Sequence, residues 1–210
     1  MNKDISHFIF LLYDAMKSSG VRSLYGVYIV KDILKMKNIQ EIIGKEGLEH
    51  LGKCDLILVY SDYNRIIDNY MLLALKIENI SEENDIEEKM KQSIEKIKLL
   101  VECYKLGFDS LCIWHHFNKK VEEEAIRKFC SKINENISKI KLPIIHLATR
   151  ITRRNVYKMY SPDEVDAGNE VSQLIRMLHN IVRDEKRLPK QYVDKEFLES
   201  REKIKRILEI

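Results

Sequence analysis

The sequence predicts an α/β fold in which a mixed β-sheet is flanked by helices. Short apolar runs of strand length alternate with longer segments that have helical periodicity. Two apolar runs lie close together within residues 54–79, with a turn-rich stretch between them, as in a pair of antiparallel strands. Two later helical segments each lead into another apolar run, and such β-α-β steps require parallel neighbours joined by right-handed crossovers.

The bulk composition is that of a globular protein with a substantial core. The chain has 210 residues, of which 33% are charged and 45% are hydrophobic. The net charge of +3 argues only weakly for a nucleic-acid partner, so the distribution of charge matters more. No apolar run approaches the roughly 18 residues of a membrane span, and no signal peptide is visible. We therefore expect a cytoplasmic protein without membrane association.

The cysteines form no recognisable metal or redox motif. No two of them have the close spacing of a zinc knuckle or a CxxC pair, and each lies in an apolar segment; they are Cys54, Cys103, Cys112 and Cys130. This pattern predicts buried free thiols, which are typical of a reducing intracellular compartment.

The first quarter of the chain has mixed signals. Residues 5–17 have the apolar stripe of an amphipathic helix. Residues 24–30 predict a strand and residues 31–36 a helical segment. Residues 39–43 are compatible with either a short strand or a turn of helix.

The middle of the chain is more regular. Residues 55–60 and 70–78 predict two adjacent antiparallel strands. A long amphipathic helix follows, with Asn84 or Asp85 as its N-cap and Gly107 as its C-cap. Acidic residues in its first turn complement the helix dipole.

One more β-α-β step completes the predicted sheet. Residues 110–117 predict a strand, residues 121–140 an amphipathic helix, and residues 144–149 the last strand, which Pro143 introduces.

The tail has a different character from the sheet region. We therefore divide the chain into an α/β core, residues 1–160, and a helical extension, residues 161–210. Within the extension, residues 171–182 and 197–210 predict amphipathic helices. These helices either cap the sheet or form the contact of a homodimer.

The most informative polar residues lie on the two predicted middle strands. Side chains alternate along a strand, so Lys76 and Glu78 share a face, and strand pairing can bring Asp55 beside them. Two carboxylates suit Mg²⁺, and a neighbouring lysine can position a water molecule or offset phosphate charge. The alternative is that Asp55 only accepts a hydrogen bond from a turn, with Lys76 and Glu78 on an exposed strand end.

The run CDLILVY…LLALKIEN, followed by a helix and then DSLCIWHHF, resembles the PD-(D/E)XK nuclease superfamily. This group includes restriction endonucleases, archaeal Holliday-junction resolvases and RecB-like exonucleases. The resemblance covers residues 37–118 and lies in the order and pattern of elements. It implies a restriction-endonuclease-like αβββαβ core with a mixed central sheet flanked by helices, to which the C-terminal helices are added.

The resemblance also implies roles for individual residues. Asp55 matches the family aspartate, a metal ligand, and Lys76 matches the catalytic lysine. The second acid of the family pattern falls at Ala74, which cannot bind metal. Glu78, two residues beyond the lysine on the same face, is the candidate replacement, and the carbonyl of Leu75 is a third candidate ligand.

Other candidate positions are less well placed. Glu46 or Glu49 could supply a further carboxylate, but the sequence does not fix where they point. RecB-like members often carry a glutamine on the following helix, yet Gln92 falls away from the buried stripe. Ser93 and Lys89 lie nearer that stripe.

Histidines and arginines offer further alternatives. His115 and His116 are adjacent on a strand and therefore point to opposite faces, and His146 reads as a core histidine. Basic side chains that could clamp phosphates, or pair with acids instead, follow the last predicted strand; they are Arg150, Arg153, Arg154 and Lys158.

Three functions are compatible with these residues. The first is an endonuclease, dependent on Mg²⁺ or Mn²⁺ and acting as a homodimer, that hydrolyses DNA phosphodiester bonds, with branched or single-stranded DNA as candidate substrates. The second is a nuclease-fold protein whose site has decayed, as Ala74 suggests, and which binds nucleic acid or a protein partner without cutting. The third is an unrelated α/β protein in which Asp55, Lys76 and Glu78 lie far apart.

Overall fold

The computed structural model describes residues 24–61, 70–81, 86–151, 157–162, 164–168 and 194–210. These residues form a seven-stranded mixed sheet in which the strands lie side by side in chain order, β1 to β7. The α/β class predicted from the sequence is confirmed at this level. The predicted helices at residues 5–17 and 171–182 and the predicted N-cap at Asn84 or Asp85 lie outside the described residues.

The first three strands are antiparallel neighbours. The elements are β1, Leu24–Ile29; α1, Val30–Ile33; α2, Ile39–Leu51; β2, Leu56–Ser61; and β3, Tyr70–Ile80. Residues 39–43 are therefore helical, and α2 bends at Gly44, whose φ of +75° lies outside the helical range. α1 and α2 lie between β1 and β2, whereas the expected αβββαβ core has three strands in succession.

The next two strands are parallel to β3, as the β-α-β pattern predicts. The elements are α3, Ile86–Val101, extended by a 3-10 turn, Glu102–Leu106; β4, Ser110–Phe117; α4, Glu123–Ile137; and β5, Ile144–Ile151. Gly107 ends the helical segment with a φ of +88°, so the predicted C-cap is confirmed. A Cβ atom at this position would lie only 2.5 Å from the Cα atom and 2.6 Å from the backbone nitrogen of Arg201.

Two strands extend the sheet beyond the predicted last strand. They are β6, Tyr157–Ser161, and β7, Val165–Gly168, and both pairings are antiparallel. β7 therefore lies past residue 160, the predicted end of the α/β core. The last element is α5, Lys195–Leu208, whose N-terminal N–H groups at residues 196 and 197 are capped by the side chain of Asp194.

All the described helices contribute to one hydrophobic cluster on one face of the sheet. α5 packs against α2 and the 3-10 turn through Phe197, Ile204 and Leu208, which are buried. The other face of the sheet is buried as well, as Leu58 and Trp114 show. Burial on both faces explains why the strands read as nearly continuous apolar runs. None of the helices in the described ranges is long and apolar enough to cross a bilayer.

Candidate active site

The backbone of Asp55 is fixed between two strands. Its N–H donates to the carbonyl of Leu75 at 2.9 Å, and its carbonyl accepts from the N–H of Val30 at 3.0 Å. Hydrogen bonds to both neighbouring segments, one within β3 and one just after the end of β1, therefore hold Asp55 just before β2. The carbonyl of Leu75, a predicted metal ligand, is engaged in this sheet hydrogen bond.

The side chain of Asp55 meets Lys76. The register pairs Leu56 with Leu75, so Asp55 and Lys76 come next on the two strands. Lys76 Nζ lies 3.2 Å from Asp55 Oδ1, and the N–H of Ile77 donates to Asp55 Oδ2 at 2.8 Å. The side chains of Asp55 and Lys76 are 18% and 23% exposed, so the ion pair is partly shielded but open to solvent.

Glu78 lies on the same face of β3, two residues beyond Lys76. Its Oε2 atom accepts from Lys96 Nζ of α3 at 2.5 Å, and its side chain is 14% exposed. Asp55, Lys76, Glu78 and Lys96 thus form a line of alternating charge between β2, β3 and α3, which we call the charge row. Lys96 was missed from the sequence; its signal is its place three residues after the buried Ser93, beside the apolar stripe.

The other candidate carboxylates, on α2, are not part of the charge row. Glu49 pairs with Lys53 at 3.3 Å, and Glu46 lies 3.8 Å from the ring of His50; both carboxylates are more than 70% exposed on α2. Within the described ranges, no group of three or more His, Cys, Asp or Glu side chains is placed to hold a metal ion. Ala74, at the position where the resemblance places a second acid, is fully buried.

The chemistry of the charge row nevertheless fits Mg²⁺ in one respect. Mg²⁺ in proteins is commonly held by one or two carboxylates, with water and substrate phosphate supplying the remaining oxygen ligands. Asp55 and Glu78 could serve as those carboxylates if Lys76 and Lys96 turned away from them. The site thus lacks a complete protein cage but has the donors that a metal shared with a phosphate requires.

Gln92 lies off the buried stripe, as expected, but close to the charge row along the helix. It precedes Lys96 by one turn of α3, so the two side chains share a flank. Its amide Nε2 donates to Glu88 Oε1 at 2.9 Å.

Two of the predicted phosphate-binding cations are held by acids of the same chain. Lys158 Nζ lies 2.7 Å and Arg150 Nη2 3.4 Å from the carboxylate of Glu123, and their side chains are 19% and 14% exposed. Hydrogen bonds from Lys158 and then Arg127 lower the pKa of Glu123. For Arg150 and Lys158 the geometry matches the alternative of pairing with acids. Arg153 and Arg154 lie outside the described residues.

A chain of polar groups, all buried except the exposed Asn134, runs beside the charge row. Ser93 Oγ lies 3.0 Å from His115 Nε2, and His115 Nδ1 lies 3.0 Å from His146 Nε2. His146 Nδ1 lies 2.7 Å from Asn134 Oδ1, and the Asn134 amide donates to Ser161 Oγ at 3.1 Å. Across β3 and β4 the residue paired with His115 is Glu78.

The donor and acceptor of each hydrogen bond from Ser93 to His146 follow from the amide oxygen of Asn134. With the amide oxygen of Asn134 facing it, His146 carries its proton on Nδ1 and accepts at Nε2. His115 then donates from Nδ1, and its Nε2 accepts from the hydroxyl of Ser93. Burial lowers the pKa of His146 to about 3, and burial, followed by the nearby His146 and Lys96, lowers that of His115. Both rings are therefore neutral.

His116 lies on the opposite face from His115, as predicted, and contacts Thr149 at 3.1 Å. The bond between His115 and His146 was not predicted, because it depends on the register between β4 and β5.

Comparison of the chain with family models, curated proteins and solved structures gave no match in any of the three. The geometry of the charge row and its surroundings is therefore the basis for assigning a function.

Proposed function

We propose that the protein is a divalent-metal-dependent endonuclease that hydrolyses DNA phosphodiester bonds at the charge row. The observation that carries this proposal is the 3.2 Å contact between Asp55 Oδ1 and Lys76 Nζ, on the face that also holds Glu78. An acid, a lysine and a second acid at one partly open position are the groups that metal-assisted phosphodiester hydrolysis requires.

Asp55 and Glu78 would hold Mg²⁺ or Mn²⁺, which when bound would lower the pKa of a coordinated water and neutralise charge on the phosphate. Asp55 is prepared for this role because Ile77 holds one of its oxygens in place. Lys76, once free of Asp55, can donate to the attacking water or to a phosphate oxygen.

The charge balance of the row supports joint binding of metal and DNA. Two carboxylates and two ammonium groups cancel when the row is paired as described. A divalent cation alone would leave a surplus of positive charge, which an anionic phosphodiester would reduce. We therefore expect tight metal binding only when DNA is present.

Binding without cleavage is the second candidate function. Ala74 occupies the position of the family's second acid, and both carboxylates of the row are held by lysines. A protein of this kind would bind DNA with the same affinity in Mg²⁺ and in EDTA.

Cleavage assays with matched variants test the proposal. Plasmid, single-stranded and four-way-junction DNA are incubated with Mg²⁺, Mn²⁺ or EDTA. Asp55→Asn and Lys76→Met are expected to reduce metal-dependent cleavage by on the order of 10²-fold or more. Asp32→Asn and Lys35→Met alter a similar ion pair, 2.8 Å long but exposed on and beside α1, and serve as controls.

Cleavage by the wild type and by both controls, but not by Asp55→Asn or Lys76→Met, would support the endonuclease. Cleavage that survives in Asp55→Asn would exclude the charge row as its site. Metal-independent DNA binding without cleavage on any substrate would favour the second candidate.

A further inference from the structure

Two buried free cysteines are in contact, and one of them, Cys54, directly precedes Asp55 of the charge row. Cys54 Sγ and Cys103 Sγ are 3.1 Å apart, although 49 positions separate them along the chain. The thiol of Cys54 donates to the sulfur of Cys103, whose own thiol donates to the carbonyl of His50 at 2.9 Å. The two sulfurs thus face each other directly.

We propose that Cys54 and Cys103 form an intramolecular disulfide when the protein meets a peroxide. The sulfurs need to approach by about 1 Å to reach the length of a disulfide bond, roughly 2.05 Å. This approach draws together the segment before β2 and the 3-10 turn, which are already packed in one hydrophobic cluster.

A cavity lies next to residues that contact or adjoin Cys103. A cavity of about 310 Å³ lies between α2, the 3-10 turn and the start of α5. Its lining includes His50, which accepts the Cys103 hydrogen bond, and Tyr104, the chain neighbour of Cys103. Hydrogen peroxide is small enough for a cavity of this volume, whereas bulky disulfides such as oxidised glutathione fit it poorly.

The reaction balances with peroxide as the only co-reactant. The Cys54 sulfur attacks one peroxide oxygen, the O–O bond breaks, the other oxygen takes the thiol proton and leaves as water, and Cys54 becomes a sulfenic acid. The Cys103 sulfur then attacks the Cys54 sulfur, the S–S bond forms, the S–O bond breaks, and a second water leaves. Two thiols are oxidised and one peroxide is reduced to two waters.

The disulfide would also act on the charge row, because Cys54 directly precedes Asp55. This second consequence rests on the proposed endonuclease function, whereas formation of the disulfide does not. The covalent bond would hold Asp55 more rigidly against β3 and resist the separation of Asp55 from Lys76 that metal binding requires. Oxidation is therefore expected to lower cleavage, and a thiol reductant to restore it.

The test counts thiols and maps the bond. The folded protein is treated with hydrogen peroxide and then unfolded, its free thiols are counted, and its peptides are mapped by mass spectrometry. The wild type, Cys112→Ser and Cys130→Ser should each lose two thiols and yield a Cys54–Cys103 peptide. Cys54→Ser and Cys103→Ser should yield no intramolecular disulfide.

The wild-type measurement decides the proposal even if a variant fails to fold. Retention of all four thiols, over-oxidation of Cys54 without a crosslink, or a crosslink to Cys112 or Cys130 would overturn it. Cleavage of DNA by the reduced and oxidised wild type is measured in parallel. A mapped disulfide without DNA cleavage in either form would support the crosslink and contradict only the proposed function.

Discussion

At the scale of single residues, Asp55 has a structural role in addition to the chemical role proposed for it. One carboxylate oxygen accepts the N–H of Ile77 and the other meets Lys76. Asp55→Ala leaves that N–H without its acceptor, whereas Asp55→Asn keeps an oxygen there. We expect Asp55→Ala to lower the free energy of unfolding by about 1–3 kcal/mol, and Asp55→Asn to lower it by less.

Urea denaturation of the two variants measures this difference. Equal stabilities would contradict the structural task of the carboxylate. The asparagine variant is therefore the better probe of catalysis, since a loss of cleavage in the alanine variant would mix chemistry with folding.

The alternation of side chains was enough to predict that Lys76 and Glu78 share one face, and strand pairing allowed Asp55 to lie beside them. It was not enough to predict Lys96, because its contact with Glu78 depends on how α3 lies across the sheet. The pairing of Arg150 and Lys158 with Glu123 was left open for the same reason, since Glu123 comes from a different element. Contacts set by local periodicity are thus readable from sequence, and contacts set by packing are not.

At the scale of elements, one buried arginine connects α5 to the sheet. Arg201 Nη1 lies 2.9 Å from Asp109 Oδ2 and donates to the carbonyl of Gly107 at 2.7 Å. Its Nη2 donates to the carbonyl of Tyr70 at 2.7 Å. The side chains of Arg201 and Asp109 are 1% and 0% exposed, so the ion pair is fully shielded from water.

Arg201→Met should therefore be strongly destabilising. The change leaves the carboxylate of Asp109 buried without its ionic partner, and we expect a loss of about 3–5 kcal/mol in the free energy of unfolding. Arg206→Met, on the exposed side of the same helix, should change it by no more than about 0.5 kcal/mol. Chemical denaturation compares the two variants, and similar values for both would show that Arg201 does not anchor α5.

The elements that the sequence predicted best are those with strong apolar periodicity. β2 to β5, α3 and α4 were predicted within a few residues, because burial on one or both faces sets their pattern. β6 and β7 were missed because both are short and β6 carries a lysine at its second position. The helical character of residues 39–43 stayed open because Gly44 interrupts the periodicity of α2.

At the scale of the whole molecule, the buried histidines make stability depend on pH. His115 and His146 are neutral in the folded protein, with the pKa of His146 lowered from 6.5 to about 3 by burial. In the unfolded chain each ring takes up a proton near its ordinary pKa. The unfolded state therefore binds more protons between about pH 6.5 and 3, and the free energy of unfolding falls as the pH falls through this window.

The size of this effect is measurable between pH 7 and 5, where carboxylates of ordinary pKa are ionised in both states. One buried neutral histidine contributes up to about 1.4 kcal/mol per pH unit. Urea unfolding at several pH values should show a steeper dependence for the wild type than for His146→Gln, which loses one titrating group. A wild-type curve that is flat over this range would contradict the neutral, buried state of both rings.

The central claim is that the charge row is a metal site completed by DNA. The most direct test measures the affinity for Mn²⁺ by electron paramagnetic resonance. The wild type and Asp55→Asn are compared with and without a cleavage-resistant phosphorothioate duplex. Samples of the duplex alone provide the background. We predict a protein-dependent Mn²⁺ site that appears in the wild type only with the duplex and is absent from Asp55→Asn. Equal Mn²⁺ binding by the two proteins, or no protein-dependent binding with DNA present, would contradict the claim.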